Sequence, residues 1–176
     1  FRPPTTRSQT WEVFLLKTAI DPKTTPARPL RLALYLCLLL LPLAGHAQGI
    51  DGCDVISARI TCPEYDAFNT GETYVDGWIT VACGTAATVT IAIGPGASGD
   101  VVNRTMTMTG ANPLKYNLYT DPARNQLWGD GTSGATVTVT VSANTEVHVP
   151  VYGRIPDRQQ IASGGYSDSP VITLTW

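Results

Sequence analysis

One histidine, three cysteines and a scatter of acidic residues are the side chains in residues 48–176 whose chemistry could support catalysis or metal binding. A histidine acts as a general base when a nucleophile lies within hydrogen-bond reach, and a structural zinc site needs about four ligands around one point. His148 alternates with Val147 and Val149, a pattern typical of the solvent-facing side of a half-buried strand. The sequence therefore predicts neither an enzyme nor a zinc site, and it implies no cofactor.

Three aspartates, Asp121, Asp130 and Asp168, lie among turn-forming residues and suggest calcium ligands as one interpretation. They are far apart in the sequence, and an aspartate in a turn usually accepts hydrogen bonds from the backbone of its own turn. We therefore expect three separately capped turns and no metal site.

The cysteines Cys53, Cys62 and Cys83 form an odd set in a region that we expect to reach an oxidising compartment. One disulfide and one free thiol should result. Cys83 has the same strand parity as Ile79, and Cys53 the same as Val55, so these two cysteines would both point inward and could pair. A Cys62–Cys83 disulfide is the alternative that the residues leave open.

Four aromatic residues, Tyr116, Tyr119, Trp128 and Tyr152, allow two interpretations. Exposed on one surface, they would form a platform on which sugar rings stack. Packed in a sandwich, they would fill the core and donate hydrogen bonds through their polar ends, which is the more common use of such residues. We expect core packing.

Short strands are the elements that must position these residues. Apolar and polar residues alternate in residues 78–83, 87–93, 135–141, 147–151 and 171–176, and we expect turns between strands at pairs such as Asp76-Gly77 and Asn112-Pro113. No helical periodicity is present. The pattern predicts an all-β, immunoglobulin-like β-sandwich. Pro150 cannot donate to a ladder, so we expect an edge position or a bulge there.

The chain divides into three regions. Residues 32–43 are an almost unbroken apolar run that follows Arg28 and Arg31 and precedes the small-residue site Gly45-His46-Ala47, so residues 28–47 are predicted to be a secretory signal peptide. The run of 12 residues is shorter than the roughly 20 that a membrane-spanning helix needs, and no membrane span is expected after cleavage. Residues 1–27 are an unassigned presequence without expected structure, and residues 48–176 form one domain.

The charge of the predicted mature domain limits its partners. Residues 48–176 contain six Lys and Arg residues and twelve Asp and Glu residues, a net charge of −6. A surface of this sign repels phosphate backbones and anionic lipids. Nucleic acid is therefore excluded as a partner.

Several motifs follow one another in a distinctive order. Residues 77–83 match Gly-x-Ile-x-Val-x-Cys, and residues 114–124 match Leu-x-Tyr-x-Leu-Tyr-x-Asp-x-x-Arg. Together with the later pieces, this order resembles the spore coat protein U domain, which is also the domain of archaic chaperone–usher pilins. The residues that carry the resemblance are Tyr116, Leu118, Tyr119, Asp121, Arg124, Trp128, Gly129, Asp130, Gly131, Tyr152, Gly153, Arg154, Pro156, Tyr166 and Asp168.

The resemblance implies a Cys53–Cys83 disulfide and a sandwich that lacks its last strand. In that case the final strand, with Ile172, Leu174 and Trp176, would form an edge that accepts a strand from another chain. Only residues 48–52 precede the first cysteine after the predicted cleavage, so the protein is expected to accept a strand without donating one. Cys62 stands where the family usually carries an aromatic residue.

The resemblance also implies the function and the partners. The chain is expected to be a secreted structural subunit of a surface pilus, placed near the tip and exported through the periplasm to the cell surface. Its partners would be a periplasmic chaperone, an outer-membrane usher and neighbouring pilin subunits. The alternatives are a self-contained spore-coat or cell-surface structural protein and a carbohydrate-binding adhesin that uses the exposed aromatic residues.

Overall fold

The computed structural model of this chain describes residues 6–10, 52–68 and 70–176, with residues 6–10 described by their backbone alone. The predicted signal peptide, residues 28–47, lies outside the described residues. The same holds for residues 1–27 apart from residues 6–10.

The described residues form ten strands and one short 3-10 turn at Gly96–Ser98. Val, Ile and Thr dominate the longer strands, because branched side chains suit a half-buried pleated surface. The strands are β1 (Thr6–Thr10), β2 (Cys53–Ile60), β3 (Thr73–Cys83), β4 (Ala87–Ile93), β5 (Thr105–Met106), β6 (Leu114–Lys115), β7 (Asn117–Tyr119), β8 (Val137–Val141), β9 (Thr145–Ile155) and β10 (Val171–Thr175).

Two four-stranded antiparallel sheets face each other. One sheet has the order β2-β3-β9-β7, and the other has the order β1-β10-β4-β8. The short strands β5 and β6 form a separate pair. The predicted all-β sandwich is confirmed.

The core lies between the two sheets. The predicted inward face of β3 is correct, since Ile79, Val81 and Cys83 are at most 1% exposed. Val89 and Ile91 of β4 meet them from the opposite sheet, and both are fully buried. Burial of one face of each sheet supplies the main driving force for this arrangement.

Pro150 occupies a local edge within β9, as predicted. It faces Trp78 of β3 on one side, while β7 pairs with β9 only from Tyr152 to Arg154 on the other. The missing N–H of the proline therefore leaves no ladder bond to β7 unmade. A bulge is present as well, but it lies in β2 between Val55 and Ser57.

Strand β1 differs from the sequence prediction, which assigned no structure to residues 1–27. Its backbone pairs antiparallel with the outer edge of β10 over five residue pairs, from Thr6 opposite Thr175 to Thr10 opposite Val171. An edge strand presents unpaired N–H and C=O groups, and backbone pairing is tolerant of sequence. The local sequence of Thr6–Thr10 does not predict pairing with a strand about 160 residues away in the chain.

Candidate functional site

The outer edge of β10 is the first part of the candidate site. Its side chains alternate, so Ile172 and Leu174 are buried at 4% and 2% exposure while Val171 points outward at 37%. Ile172 and Leu174 thus anchor the strand in the core, and the edge consists of backbone. That backbone is paired with β4 on one side and with β1 on the other.

Trp176 closes the end of this strand. Its ring packs on the backbone of Gly52, where an added Cβ would lie 2.8 Å from the ring. Gly52 has a φ of 93°, and its carbonyl accepts a hydrogen bond from the Gly84 N–H at 2.9 Å. The start of β2 and the end of β10 are therefore held together beside the disulfide.

The disulfide joins Cys53 and Cys83, which face each other in the β2–β3 register. This confirms the pairing that the resemblance implied and excludes the Cys62–Cys83 alternative.

Cys62 is a buried free cysteine, and burial raises the pKa of its thiol to about 11. It lies beside a cavity of about 310 Å³ whose apolar wall includes Leu114 and Tyr166.

A buried arginine organises the middle of the motif region. Arg104 is fully buried, and its guanidinium donates to four acceptors in the chain. Burial lowers the pKa of this guanidinium, while nearby acidic groups raise it. The acceptors are the carbonyl oxygens of Gly94 (2.9 Å from Nε), Ile93 (2.7 Å from Nη2) and Trp128 (2.9 Å from Nη2), and Oδ1 of Asn117 (3.0 Å from Nη1).

Tyr116 and Asp168 form a second buried contact nearby. The Tyr116 hydroxyl donates to Oδ2 of Asp168 at 2.6 Å, and the Ala97 and Ser169 N–H groups donate to Oδ1 at 2.8 Å each. Burial, followed by the hydrogen bond to Asp168, raises the pKa of Tyr116. Gly96 has a φ of 67° and lies against the Asp168 carboxylate, where any Cβ would collide. This contact fixes the loop after β4 to the segment before β10.

The Trp128-Gly129-Asp130-Gly131 turn crosses between the sheets. The indole of Trp128 is fully buried, and its Nε1 donates to the Ile91 carbonyl at 3.1 Å. Oδ1 of Asp130 accepts from the Thr132 and Ser133 N–H groups, and these bonds lower the pKa of Asp130. The motif therefore shapes a turn and binds it to β4.

The Asp121–Arg124 turn is docked onto the outer face of the other sheet. Oδ1 of Asp121 accepts from the Asn125 and Gln126 N–H groups, and these bonds lower the pKa of Asp121. The Arg124 guanidinium donates to the Gly153 carbonyl at 2.9 Å and to Oδ1 of Asp76 at 2.7 Å.

Two further motif residues make hydrogen bonds in the segment between β9 and β10. The Pro156 carbonyl accepts from the Tyr65 hydroxyl at 2.9 Å, and the Tyr166 hydroxyl donates to the Ala162 carbonyl at 3.1 Å. The Arg154 guanidinium lies 5.1 Å from the centre of the Tyr119 ring. Most motif residues thus hold loops and turns in place and do not converge on one cleft.

The turn interpretation agrees with the contacts of Asp121 and Asp130, which accept from backbone N–H groups of their own turns. It is wrong for Asp168, which is buried and accepts from the distant Ala97 N–H and Tyr116 hydroxyl groups. Among residues 52–68 and 70–176, no group of three or more His, Cys, Asp or Glu side chains is placed to hold a metal ion. His148 is exposed as predicted, and its Nδ1 lies 2.9 Å from Oγ1 of Thr80.

Most of the aromatic residues considered for sugar stacking are buried. Tyr116, Tyr119 and Trp128 are 5%, 6% and 0% exposed, and only Tyr152 is half-buried. The expected core packing is confirmed, and a sugar platform built from these four residues is excluded.

Arg104 is the site residue that sequence reasoning missed. One signal was available, because Arg104 has the same parity as the buried Met106 and a charged residue on an inward face demands partners. Its acceptors come from three separate segments, which the sequence alone does not bring together.

In the part of the chain that the structure describes, no helix is long and apolar enough to cross a membrane.

The sequence matches a family model and is similar to a known protein. The family model described as the Spore Coat Protein U domain matches residues 42–173. Protein U of Myxococcus xanthus is 32% identical over 118 residues, which cover 63% of this chain and 62% of that protein. The chain thus spans less than two thirds of this relative.

Two solved structures are similar at low identity. A chain of the CsuC–CsuE chaperone–tip adhesion subunit complex from the archaic chaperone–usher Csu pili of Acinetobacter baumannii is 19% identical with a TM-score of 0.43, over 68% of this chain and 39% of that one. An antigen and type I fimbria protein of Burkholderia pseudomallei is 17% identical with a TM-score of 0.38, over 99% of this chain and 100% of that one.

Proposed function

Since the chain belongs to the spore coat protein U domain family, we propose that it is an exported structural subunit of a surface pilus assembled by a chaperone–usher pathway. In this role its working part is the outer edge of β10, which accepts a strand from another chain. The single observation that supports this function best is the β1–β10 ladder, in which that edge hydrogen-bonds an added antiparallel strand over five residue pairs.

Export would free this edge. Strand β1 lies ahead of the predicted signal peptide, so cleavage after Ala47 removes residues 6–10 together with the leader. The side of β10 that β1 covers is then open to a strand from another chain. Unpaired backbone at a sheet edge favours the addition of a new strand.

The partners follow from this edge. A periplasmic chaperone occupies it first, and a segment of a neighbouring pilin subunit replaces the chaperone at the outer-membrane usher. Residues 48–52 are the only ones between the predicted cleavage site and Cys53. Because five residues leave no length for a strand that reaches a neighbour, this subunit accepts a strand without donating one and is placed near the pilus tip.

Thermal unfolding tests the proposal. Residues 48–176 are compared with the full chain, each alone and with a synthetic peptide of residues 5–12 in large excess. If the peptide fills the β10 edge at about 100 times its Kd, it stabilises the domain by about 2.7 kcal/mol. For a domain of this size that is a rise of roughly 10 °C in Tm.

A matched peptide with proline in place of Ser8 provides the control, because proline cannot donate to the ladder and disrupts pairing. A purified chaperone of the chaperone–usher class should stabilise residues 48–176 in the same way. Cooperative unfolding of residues 48–176 at the Tm of the full chain, without any response to peptide or chaperone, would contradict the proposal.

The alternative function is a self-contained spore-coat or cell-surface structural protein. The observation in its favour is also the β1–β10 ladder, since a chain that retains residues 6–10 fills its own edge. The two functions therefore differ in whether the edge is open after export.

A further inference from the structure

The outer face of β3 carries three exposed side chains in a row. Tyr74 and Trp78 are 57% and 43% exposed, and the Asp76 side chain between them is 70% exposed. Val75 and Ile79 point into the core, so the alternation of the strand places all three on one surface. We call Tyr74, Asp76 and Trp78 the β3 platform.

Contacts from neighbouring elements hold part of this platform in a defined geometry. The Arg124 guanidinium lies 4.3 Å from the centre of the Tyr74 ring and 5.8 Å from that of Tyr152. The same group binds Oδ1 of Asp76 and the Gly153 carbonyl, and only 12% of its side chain is exposed. An arginine stacked between two rings and bonded at its edges reduces the side-chain freedom that binding would otherwise remove.

Two ion pairs lie beside the platform. Arg124 forms an ion pair with Asp76, and Arg154 lies 3.7 Å from Glu72, whose other oxygen accepts from the Tyr74 hydroxyl. Arg59, which faces Trp78 in the β2–β3 register, is exposed and adds one positive charge. The surface otherwise offers aromatic faces and fixed hydrogen-bonding groups whose charges are balanced. A neutral ligand with many hydroxyl groups and an apolar ring face is complementary to such a surface.

From this geometry we propose that the β3 platform binds a neutral oligosaccharide. The aromatic rings stack against the C–H faces of sugar rings, whose hydrogens are drawn to the negative face of the ring. The Asp76 carboxylate, which lies between the rings, accepts hydrogen bonds from sugar hydroxyls. Tyr74 and Trp78 are four residues apart on one strand, so their Cα atoms are about 13 Å apart, a length suited to a short chain of sugars.

The size of the patch favours a sugar over a protein partner. Tyr74, Trp78 and Ile56 are the large apolar side chains exposed on this sheet among the described residues. A stable protein interface buries about 800 Å² on each side and needs some 20 residues. Three large side chains in a line supply much less than that.

The site is distinct from the strand-accepting edge. The β3 platform lies on the sheet that contains β2, β3, β9 and β7, whereas β10 belongs to the opposite sheet. Its function does not depend on whether β10 accepts a strand.

Binding is tested with the protein expressed for export and purified in its oxidised form, against a panel of immobilised neutral and acidic oligosaccharides. Trp78 is the most exposed tryptophan among the described residues, so a bound sugar should also shift tryptophan emission to shorter wavelength. The expected result is binding of one or more neutral oligosaccharides. Trp78→Ala and Tyr74→Ala should each weaken it by about tenfold or more.

Phe68→Ala is the matched control, since Phe68 is 93% exposed and lies outside the strands. It should leave sugar binding unchanged. Asp76→Asn should weaken binding several-fold while it retains the side-chain shape. Urea midpoints of all variants establish that they are folded. A sugar titration of the unaltered protein, followed by tryptophan emission, tests binding independently of any variant.

Absence of neutral-sugar binding by the folded chain would overturn the proposal. Binding that survives Trp78→Ala in a folded variant would overturn it as well. Capture of a protein partner that depends on Trp78, without sugar binding, would identify the β3 platform as a protein interface instead.

Discussion

Replacement of Arg104 by methionine should destabilise the protein by about 3–5 kcal/mol. Methionine matches much of the length of the arginine side chain but donates no hydrogen bond. The Ile93 and Trp128 carbonyls, which now accept from Nη2 in fully buried contacts, would lose their donor. The Gly94 carbonyl and the Asn117 amide would lose theirs in partly buried contacts.

The magnitude follows from these four acceptors. A buried acceptor without a donor costs about 1–3 kcal/mol, so the two fully buried carbonyls alone account for about 2–6 kcal/mol. The partly buried pair adds less, because water reaches those groups. The folded Arg104→Met protein no longer contains a desolvated guanidinium, and this offsets part of the loss in the free energy of unfolding. The net effect is therefore near the middle of the range of about 2–6 kcal/mol. Buried charges can sometimes be replaced without loss when both partners become apolar, but backbone carbonyls cannot be replaced.

Urea denaturation of the full chain, followed by circular dichroism, measures the effect. The free energy of unfolding of Arg104→Lys should lie between those of the unaltered chain and Arg104→Met. An ammonium group carries three donors at one point and cannot span acceptors on separate segments. Arg59→Met is the control, because Arg59 is exposed on β2 and its replacement should change the free energy of unfolding by at most about 0.5 kcal/mol. An Arg104→Met protein with the stability of the unaltered chain would refute the reasoning.

Three further results are expected. Replacement of both Cys53 and Cys83 by serine should cost about 3–4 kcal/mol in urea denaturation, from the chain entropy of a loop with a sequence separation of 30. Alkylation of Cys62 by iodoacetamide near neutral pH should be about 100-fold slower in the native protein than in denaturant, because burial raises the pKa of its thiol from 9.0 to about 11; equal rates would show that the thiol is accessible. Backbone hydrogen bonds hold the pKa of Asp121 and of Asp130 below 3.8, so the unfolded chain takes up protons first as pH falls below that value. The two aspartates therefore stabilise the fold above about pH 3.8, and this stabilisation is lost as the pH falls below that value. Urea midpoints of the Asp121→Asn, Asp130→Asn double variant should decline less with acid than those of the unaltered chain.

The alternating strands were the part of the fold that local pattern could predict. In β3 and β4, period two placed Ile79, Val81, Val89 and Ile91 inward, and all four are at most 1% exposed. Side chains on a pleated strand alternate between two faces whatever the rest of the chain does, so apolar periodicity is enough to assign them. The lengths were less accurate, since β9 extends over Thr145–Ile155 beyond the expected residues 147–151. The turn predicted at Asp76-Gly77 was wrong, because β3 continues through both residues.

The contacts of the motif residues were beyond local pattern. Tyr116 meets Asp168 across 52 positions of sequence, and Arg124 meets Asp76 across 48. The resemblance identified these residues as a set but not their partners. Short strands such as β5, β6 and β7 were also missed, because two or three residues carry no periodicity of their own.

The sequence by itself determined the all-β class, the inward and outward faces of the long strands, the turn roles of Asp121 and Asp130 and, through the motif order, the family. Only the tertiary structure decided that Arg104 is buried among carbonyls of separate segments, that Tyr74, Asp76 and Trp78 form an exposed platform supported by Arg124, and that the edge of β10 accepts the backbone of Thr6–Thr10. The reason is physical. Side-chain alternation is a property of one strand, whereas burial of a charge, the support of a surface and the pairing of an edge depend on which distant segments meet.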